Sequence, residues 1–362
     1  MINNLIKMII EKGASDLHLV AGAPPQARID GKISPLPAPP LTPESVKELC
    51  FSVLSPEQKA TFEVRHECDL AIEFEGLGRF RVNIYMQKGS VAGAFRPIPT
   101  NIPTADSLGI PPVVQKLYDL PRGLVLVTGP TGSGKSTTLA SLIHKINLER
   151  EVHIITIEDP IEFVHFHKKS VISQREIGKD SATFQDALKY VLRQDPDVIL
   201  IGEMRDLETI SAAITSSETG HLVFATLHTN STVQTINRII DVFPPHQQAQ
   251  IRTQLSFVLE GVICQQLIPK VDGGRALAME IMIPNMAIRN LIRENKLHQI
   301  PAQMQVGQEG TEMQTLNQSL AELVQKKIVT FEVALAHASD IEEFKKLAKP
   351  SRPTKISAVP SR

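Results

Sequence analysis

The sequence predicts an α/β protein in two parts, a small mixed α+β domain followed by a larger domain built on a parallel sheet. Three observations predict it. Short apolar runs at 124–128, 154–157, 198–201 and 222–225 alternate with helical patterns, as strands buried on both faces of a parallel sheet do. A glycine-rich turn separates the first of these runs from the helical pattern of Leu139, Leu142, Ile143 and Ile146. Earlier, residues 69–95 alternate apolar and polar, punctuated by Gly76-Leu77-Gly78 and Lys88-Gly89-Ser90, which predicts a meander of three strands.

Along the chain, Ile2, Leu5, Ile6 and Ile9 stand at helical spacing among Lys7, Glu11 and Lys12, predicting a surface helix and no secretory leader. Asp30-Gly31 marks a hairpin, and Thr42-Pro43-Glu44 starts a helix that carries Val46, Leu49, Cys50 and Val53. Pro97, Pro99, Pro103, Pro111 and Pro112 remove backbone donors, which places a linker here. The expected domains are 1–98, a linker at 99–112, 113–348, and a tail at 349–362. Beyond about Pro269 only short helices are expected, and the tail, with four basic residues and no acid, is expected to be disordered.

Thirty-eight basic and thirty-nine acidic side chains give a formal charge of -1, and only 4% of residues are aromatic, with no Trp. That leaves little phosphate-binding surface or stacking platform for nucleic acid, so none is expected as a partner. Cys50, Cys68 and Cys264 are too far apart for a zinc site or a disulfide framework and read as reduced structural thiols. No apolar run spans a bilayer, so membrane insertion is not expected and the chain is placed in the cytoplasm.

Gly129, Pro130, Thr131, Gly132, Ser133, Gly134, Lys135 and Ser136 match G-x-x-x-x-G-K-[ST], followed by Thr137, in the strand–turn–helix context that this phosphate-binding pattern requires. Backbone N–H groups and the helix N-terminus would cradle ATP phosphates, Lys135 would bridge the β- and γ-phosphates, and the Ser136 hydroxyl would ligate Mg2+. Glu203 lies just beyond the apolar run 198–201 and could hold Mg2+ directly or through water, although the usual pattern has Asp at the strand end itself; the alternative is a surface turn. Glu158, Asp159 and Glu162 crowd another strand end, where one of them could orient or deprotonate the attacking water, unless they form a solvated acidic turn. His221 and His228 bracket 222–227; about 23 Å apart on a strand, they cannot share a metal. His228 could sense the γ-phosphate, whereas His221 reads as a satisfied strand-start histidine.

Together, the phosphate loop, the 158–162 acidic box, DPDVILIGEMRD at 195–206 and HLVFATLH at 221–228 resemble the Walker A, Asp box, Walker B and His box of secretion ATPases, the RecA-like motors of type II and IV secretion and type IV pili. ASDLHL at 14–19 and the meander resemble their PAS-like N-terminal domain, so the likeness covers nearly the whole chain. AIRNLIRE at 287–294 is similar to an element of the retraction motors of twitching motility; by itself it reads as an amphipathic helix with Arg289 and Arg293 outward. The resemblance implies a homohexamer that hydrolyses ATP with Mg2+ to retract pili, docked on an inner-membrane platform protein at the cytoplasmic face. It implies Glu162 as general base, Glu203 as Walker B acid, His228 as sensor, Glu158 in support, and Arg79, Arg81 and Arg96 delivered across an interface. Arg79 and Arg81 share a strand face by alternation; solvated strand arginines are the alternative reading. Rival functions are an accessory retraction or extension ATPase and, outside enzymes, a nucleotide-binding regulatory ring.

Overall fold

The computed structural model describes residues 2–29, 31–99, 101–306 and 312–348. Two compact units emerge: one comprises the residues up to Asn101 together with Glu162–Val164, the other Ile102–Ile161 and the chain from His165 onward. The tail at 349–362 and Asp30 lie outside the described residues.

In the first unit, α1 (Ile2–Glu11) buries the four apolar positions that recur at helical spacing. Strands β1 (Asp16–Leu19), β2 (Gln26–Ile29) and β3 (Lys32–Pro35) are followed by α2 (Pro43–Phe51) and α3 (Pro56–Arg65). Thr42 caps α2 through the Ser45 N–H, and Ser55 forms a capping box with Gln58 on α3, so both helix starts are fixed by side-chain acceptors. The meander follows as β4 (Glu67–Phe74), β5 (Gly78–Gln87) and β6 (Ser90–Pro97). Lys88 and Gly89 both have positive φ, 47° and 74°, the turn that matches strand twist and sets the β5–β6 register at Gln87↔Ser90. All pairings are antiparallel, in the order β3-β2-β1-β6-β5-β4. Leu17, Phe80, Val82, Ile84 and Phe95 turn to one face and form a core with the helices.

The second unit contains α4 (Pro112–Gln115), β7 (Gly123–Thr128), α5 (Lys135–Glu149), β8 (His153–Glu158), β9 (Val171–Glu176), α6 (Phe184–Val191), β10 (Val198–Ile201), α7 (Leu207–Glu218) and β11 (Leu222–Leu227). After these come α8 (Thr232–Asp241), α9 (Pro245–Val258), β12 (Leu259–Pro269), β13 (Arg275–Met282), α10 (Met286–Arg293), α11 (Ile300–Val306), α12 (Leu316–Gln325), α13 (Phe331–His337) and α14 (Ile341–Leu347). The sheet order is β13-β12-β7-β11-β10-β8-β9, parallel except for the β12–β13 hairpin. Alternate residues of each central strand enter opposite cores. Val125, Val127, Val198, Leu200 and Phe224 pack with Leu139, Leu142 and Ile143 of α5. Leu124, Leu126, Ile199, Ile201 and Val223 pack with α6 to α10. Ala105 and Ile110, from the proline-crowded segment, join the α5-side core beside Val114 and Leu117.

The expectation of only helices beyond Pro269 is corrected by β13, and β9 and β12 also extend the sheet past the four runs that the sequence marked. β9 is an edge strand and reads VISQRE, too polar for a buried run. In β12, Glu260, Gln265 and Gln266 interrupt the apolar signal. Asp272-Gly273-Gly274, which separates two apolar stretches, is a turn signal for this hairpin that the reading of the sequence did not use.

Candidate active site

Parallel strands deliver their carboxyl ends to one edge of the second sheet. Thr128 stands level with Leu227, Ala225 with Ile201, and Ile201 with Ile157. The segments leaving β7, β11, β10 and β8 therefore begin side by side, and they carry the phosphate loop, His228, Glu203 and Glu158.

The loop turns directly from β7 into α5, whose first residue is Lys135. Gly129 has φ 137°, and a Cβ there would lie 2.3 Å from the Gln265 carbonyl oxygen, so only glycine fits. Lys135 is 9% exposed and donates from Nζ to the Gly129 and Pro130 carbonyls at 2.8 and 3.1 Å. Ser133 Oγ is buried without a hydrogen-bond partner, while Ser136 and Thr137 lie half-buried in the first turn of α5. A buried hydroxyl with no acceptor, beside a buried ammonium and a helix N-terminus, suits an anion with several oxygens.

One Glu203 oxygen accepts from Arg205 Nη2 at 2.7 Å, and the other lies 3.2 Å from His228 Nε2. The Arg205 hydrogen bond, reinforced by the charges of Arg205 and His228, holds the Glu203 carboxyl below the usual range despite partial burial. Thr226 Oγ1 donates to the Gly202 carbonyl, fixing the turn from which Glu203 projects. Glu158 Oε1 accepts from Thr156 Oγ1 at 2.6 Å and from Gln174 Nε2 at 3.3 Å, so this carboxylate is held by its own strand and by β9. His221 Nδ1 lies 3.0 Å from the Ser216 carbonyl and 3.2 Å from Thr219 Oγ1, a local contact at the end of α7.

Glu162 is exposed and belongs to the first unit. In that unit's sheet Arg81 pairs directly across from Arg96, and Arg79 lies two residues along on the same face. Arg96 donates from Nε and Nη2 to Asp16 Oδ1, both at 2.8 Å, and Asp16 is 7% exposed. Asp16 thus aims Arg96, a role that spacing could not reveal because 80 residues separate the pair.

Beside the loop a cavity of about 1210 Å³ is lined by Gly134, Thr137, Thr138 and Gln265 and continues to Gln314 and Lys327. Its volume leaves room for a nucleoside attached to phosphates in the loop. Among the described residues no cluster of His, Cys, Asp or Glu could hold a metal ion alone. Magnesium that arrives on nucleotide phosphates needs only one or two protein oxygens, which Ser136 and Glu203 can supply.

A family model described as type II/IV secretion system protein matches residues 111–336. The type IV pilus retractation ATPase PilT of Pseudomonas aeruginosa is 48% identical over 343 residues, 95% of this chain and 99% of the relative. The chain belongs to the type II/IV secretion system protein family. The type IV pilus ATPase PilU of the same organism is 41% identical over 95% of this chain and 90% of its own. Among solved structures, the pilus retraction motor PilT with bound ADP superposes with a TM-score of 0.90 at 52% identity, covering 95% of this chain and 98% of the other.

In this member of the secretion family a histidine pair involves α5, the helix that follows the phosphate loop. His144, on α5, and His165 have ring centroids 6.4 Å apart, and both Nδ1 atoms are buried without partners. The His165 N–H donates to Gln174 Oε1, whose amide in turn holds Glu158. Burial, assisted by the charge of His144, pushes His165 down from 6.5 to about 4; burial and Lys168 lower His144 too. Above pH 6.5 both folded and unfolded chains carry neutral imidazole, so His165 adds no pH dependence there. Below it the unfolded chain takes up a proton that the folded chain refuses, and stability falls until the pH passes about 4. The full loss is about 3 kcal/mol. Urea midpoints measured between pH 7 and 5 should fall more for the wild type than for His165→Asn; parallel declines would contradict this.

Proposed function

We propose that the chain is a Mg2+-dependent ATPase that retracts type IV pili and so drives twitching motility. What supports this most is the convergence of the loop, Glu203 with His228, and Glu158 at one sheet edge, in a chain aligned end to end with PilT. Lys135 and the loop amides bind the triphosphate, Ser136 and Glu203 hold Mg2+, the latter through water, and His228 reports the γ-phosphate. Magnesium supplies charge neutralisation on the phosphates. Glu162 removes the proton from the attacking water, with Glu158 in support. Arg79, Arg81 and Arg96 meet the phosphates of a neighbouring copy in a homohexamer, where they stabilise charge that develops during transfer.

Among the described residues no helix is long and apolar enough to cross a membrane. On this reading, which rests on the likeness to pilus ATPases, the motor works from the cytoplasm, peripheral to the inner face of the membrane, on a platform protein at the pilus base. Deletion of its gene should leave cells with surplus pili that cannot twitch, and a Lys135→Ala allele should reproduce this. Bald cells would instead indicate extension. The likeness to PilU favours a second reading, an accessory retraction ATPase, for which deletion would weaken twitching without abolishing it.

A further inference from the structure

We infer that Gln265 is the positioning residue that clamps the phosphate loop from outside and keeps it open for the nucleotide. The inference rests on the reading of 129–136 as the phosphate site. Ladder pairing between β7 and β12 ends at Thr128↔Cys264, so Gly129 and Gln265 are the next residues on two adjacent strands. Gln265 grips the loop at both ends. Its main-chain carbonyl fills the space where a Gly129 Cβ would stand, 2.3 Å from that position. Its side-chain Nε2 donates to the Ser133 carbonyl at 2.8 Å, four residues further along. The orientation of the amide follows, because the flipped form would set two acceptors against each other.

An internal hold already exists, since Lys135 Nζ donates to the Gly129 and Pro130 carbonyls. An ammonium has only three donors, and each one turned to a phosphate is withdrawn from the loop. The Gln265 amide is neutral and draws phosphate oxygens far less than the Lys135 ammonium does, so on this inference the outer bond holds through binding and release. Burial of glutamine here brings folding no clear gain. The residue is 1% exposed, and the bond that its Nε2 makes to the Ser133 carbonyl is offset by an Oε1 buried without a hydrogen-bond partner. Gln265 also lines the cavity beside Gly134 and Thr138, which places it where the loop meets the space for the nucleoside.

A split between stability and affinity distinguishes positioning from a structural role. In Gln265→Leu and Gln265→Met the full-length chain without nucleotide should melt within a few degrees of wild type, because the orphan Oε1 is removed while the Ser133 carbonyl loses its donor, and the two effects oppose each other. The Kd for MgADP by calorimetry and the KM for ATP should both rise about tenfold, with kcat within about threefold. Methionine, unbranched and similar in length, keeps the test available if leucine fails to fold. A folded variant that binds MgADP within twofold of wild type overturns the clamp, as does a lowered melting temperature with unchanged affinity. If the wild type itself takes up no MgADP, the phosphate-site reading falls and carries this one with it.

Discussion

Glu162→Gln is expected to reduce ATP turnover by about 10²–10⁴-fold while MgADP affinity and KM stay within about threefold, because the amide keeps the shape of the carboxylate and cannot take a proton. Glu162 is exposed, so the melting temperature should move little. The parallel variant Glu158→Gln separates the two carboxylates of the acidic box. Glu158 is occupied by Thr156 and Gln174, as befits a group that orders its surroundings, and its replacement should cost less turnover. Steady-state hydrolysis and calorimetry on both variants decide between them. If Glu158→Gln collapses kcat and Glu162→Gln does not, the proton acceptor is Glu158.

Lys135→Ala should lower turnover by about 10²–10³-fold or more and weaken MgADP binding with it, unlike the Glu162 change. The ammonium is the one loop side chain with a full positive charge, and its loss removes both phosphate attraction and the bonds to the Gly129 and Pro130 carbonyls. Burial of Lys135 is nearly complete, so its removal also relieves a desolvated charge, and the fold should survive. A hydrolysis assay with a binding isotherm on the same preparation checks this. Turnover within tenfold of wild type would take the loop out of the chemistry.

The helix start at Thr42 and the central strands of the second sheet were legible because short-range rules govern them: a capping oxygen reaches three residues, and a strand buried on both faces must be apolar throughout. The hairpin of β12 and β13 was not read, although its Asp272-Gly273-Gly274 turn stands in the sequence, because polar side chains with distant partners interrupt β12: Gln265 bonds the phosphate loop, Glu260 pairs with Arg289, and Gln266 meets His337.

For the site, the sequence by itself determined the glycine-rich loop, since phosphate binding demands glycines, a lysine and a hydroxyl at fixed spacing, and it marked the acidic box, Glu203 and His228 as candidates by their places at strand ends. Only tertiary structure decided that β7, β11, β10 and β8 end within about two residues of one another at one edge, that His228 and Arg205 take opposite oxygens of Glu203, and that Asp16 aims Arg96. It also put Gln265 against the loop from 132 residues beyond Ser133. The physical reason is that such partners meet through strand order and register, which depend on how whole faces bury together rather than on any residue's neighbours in the chain.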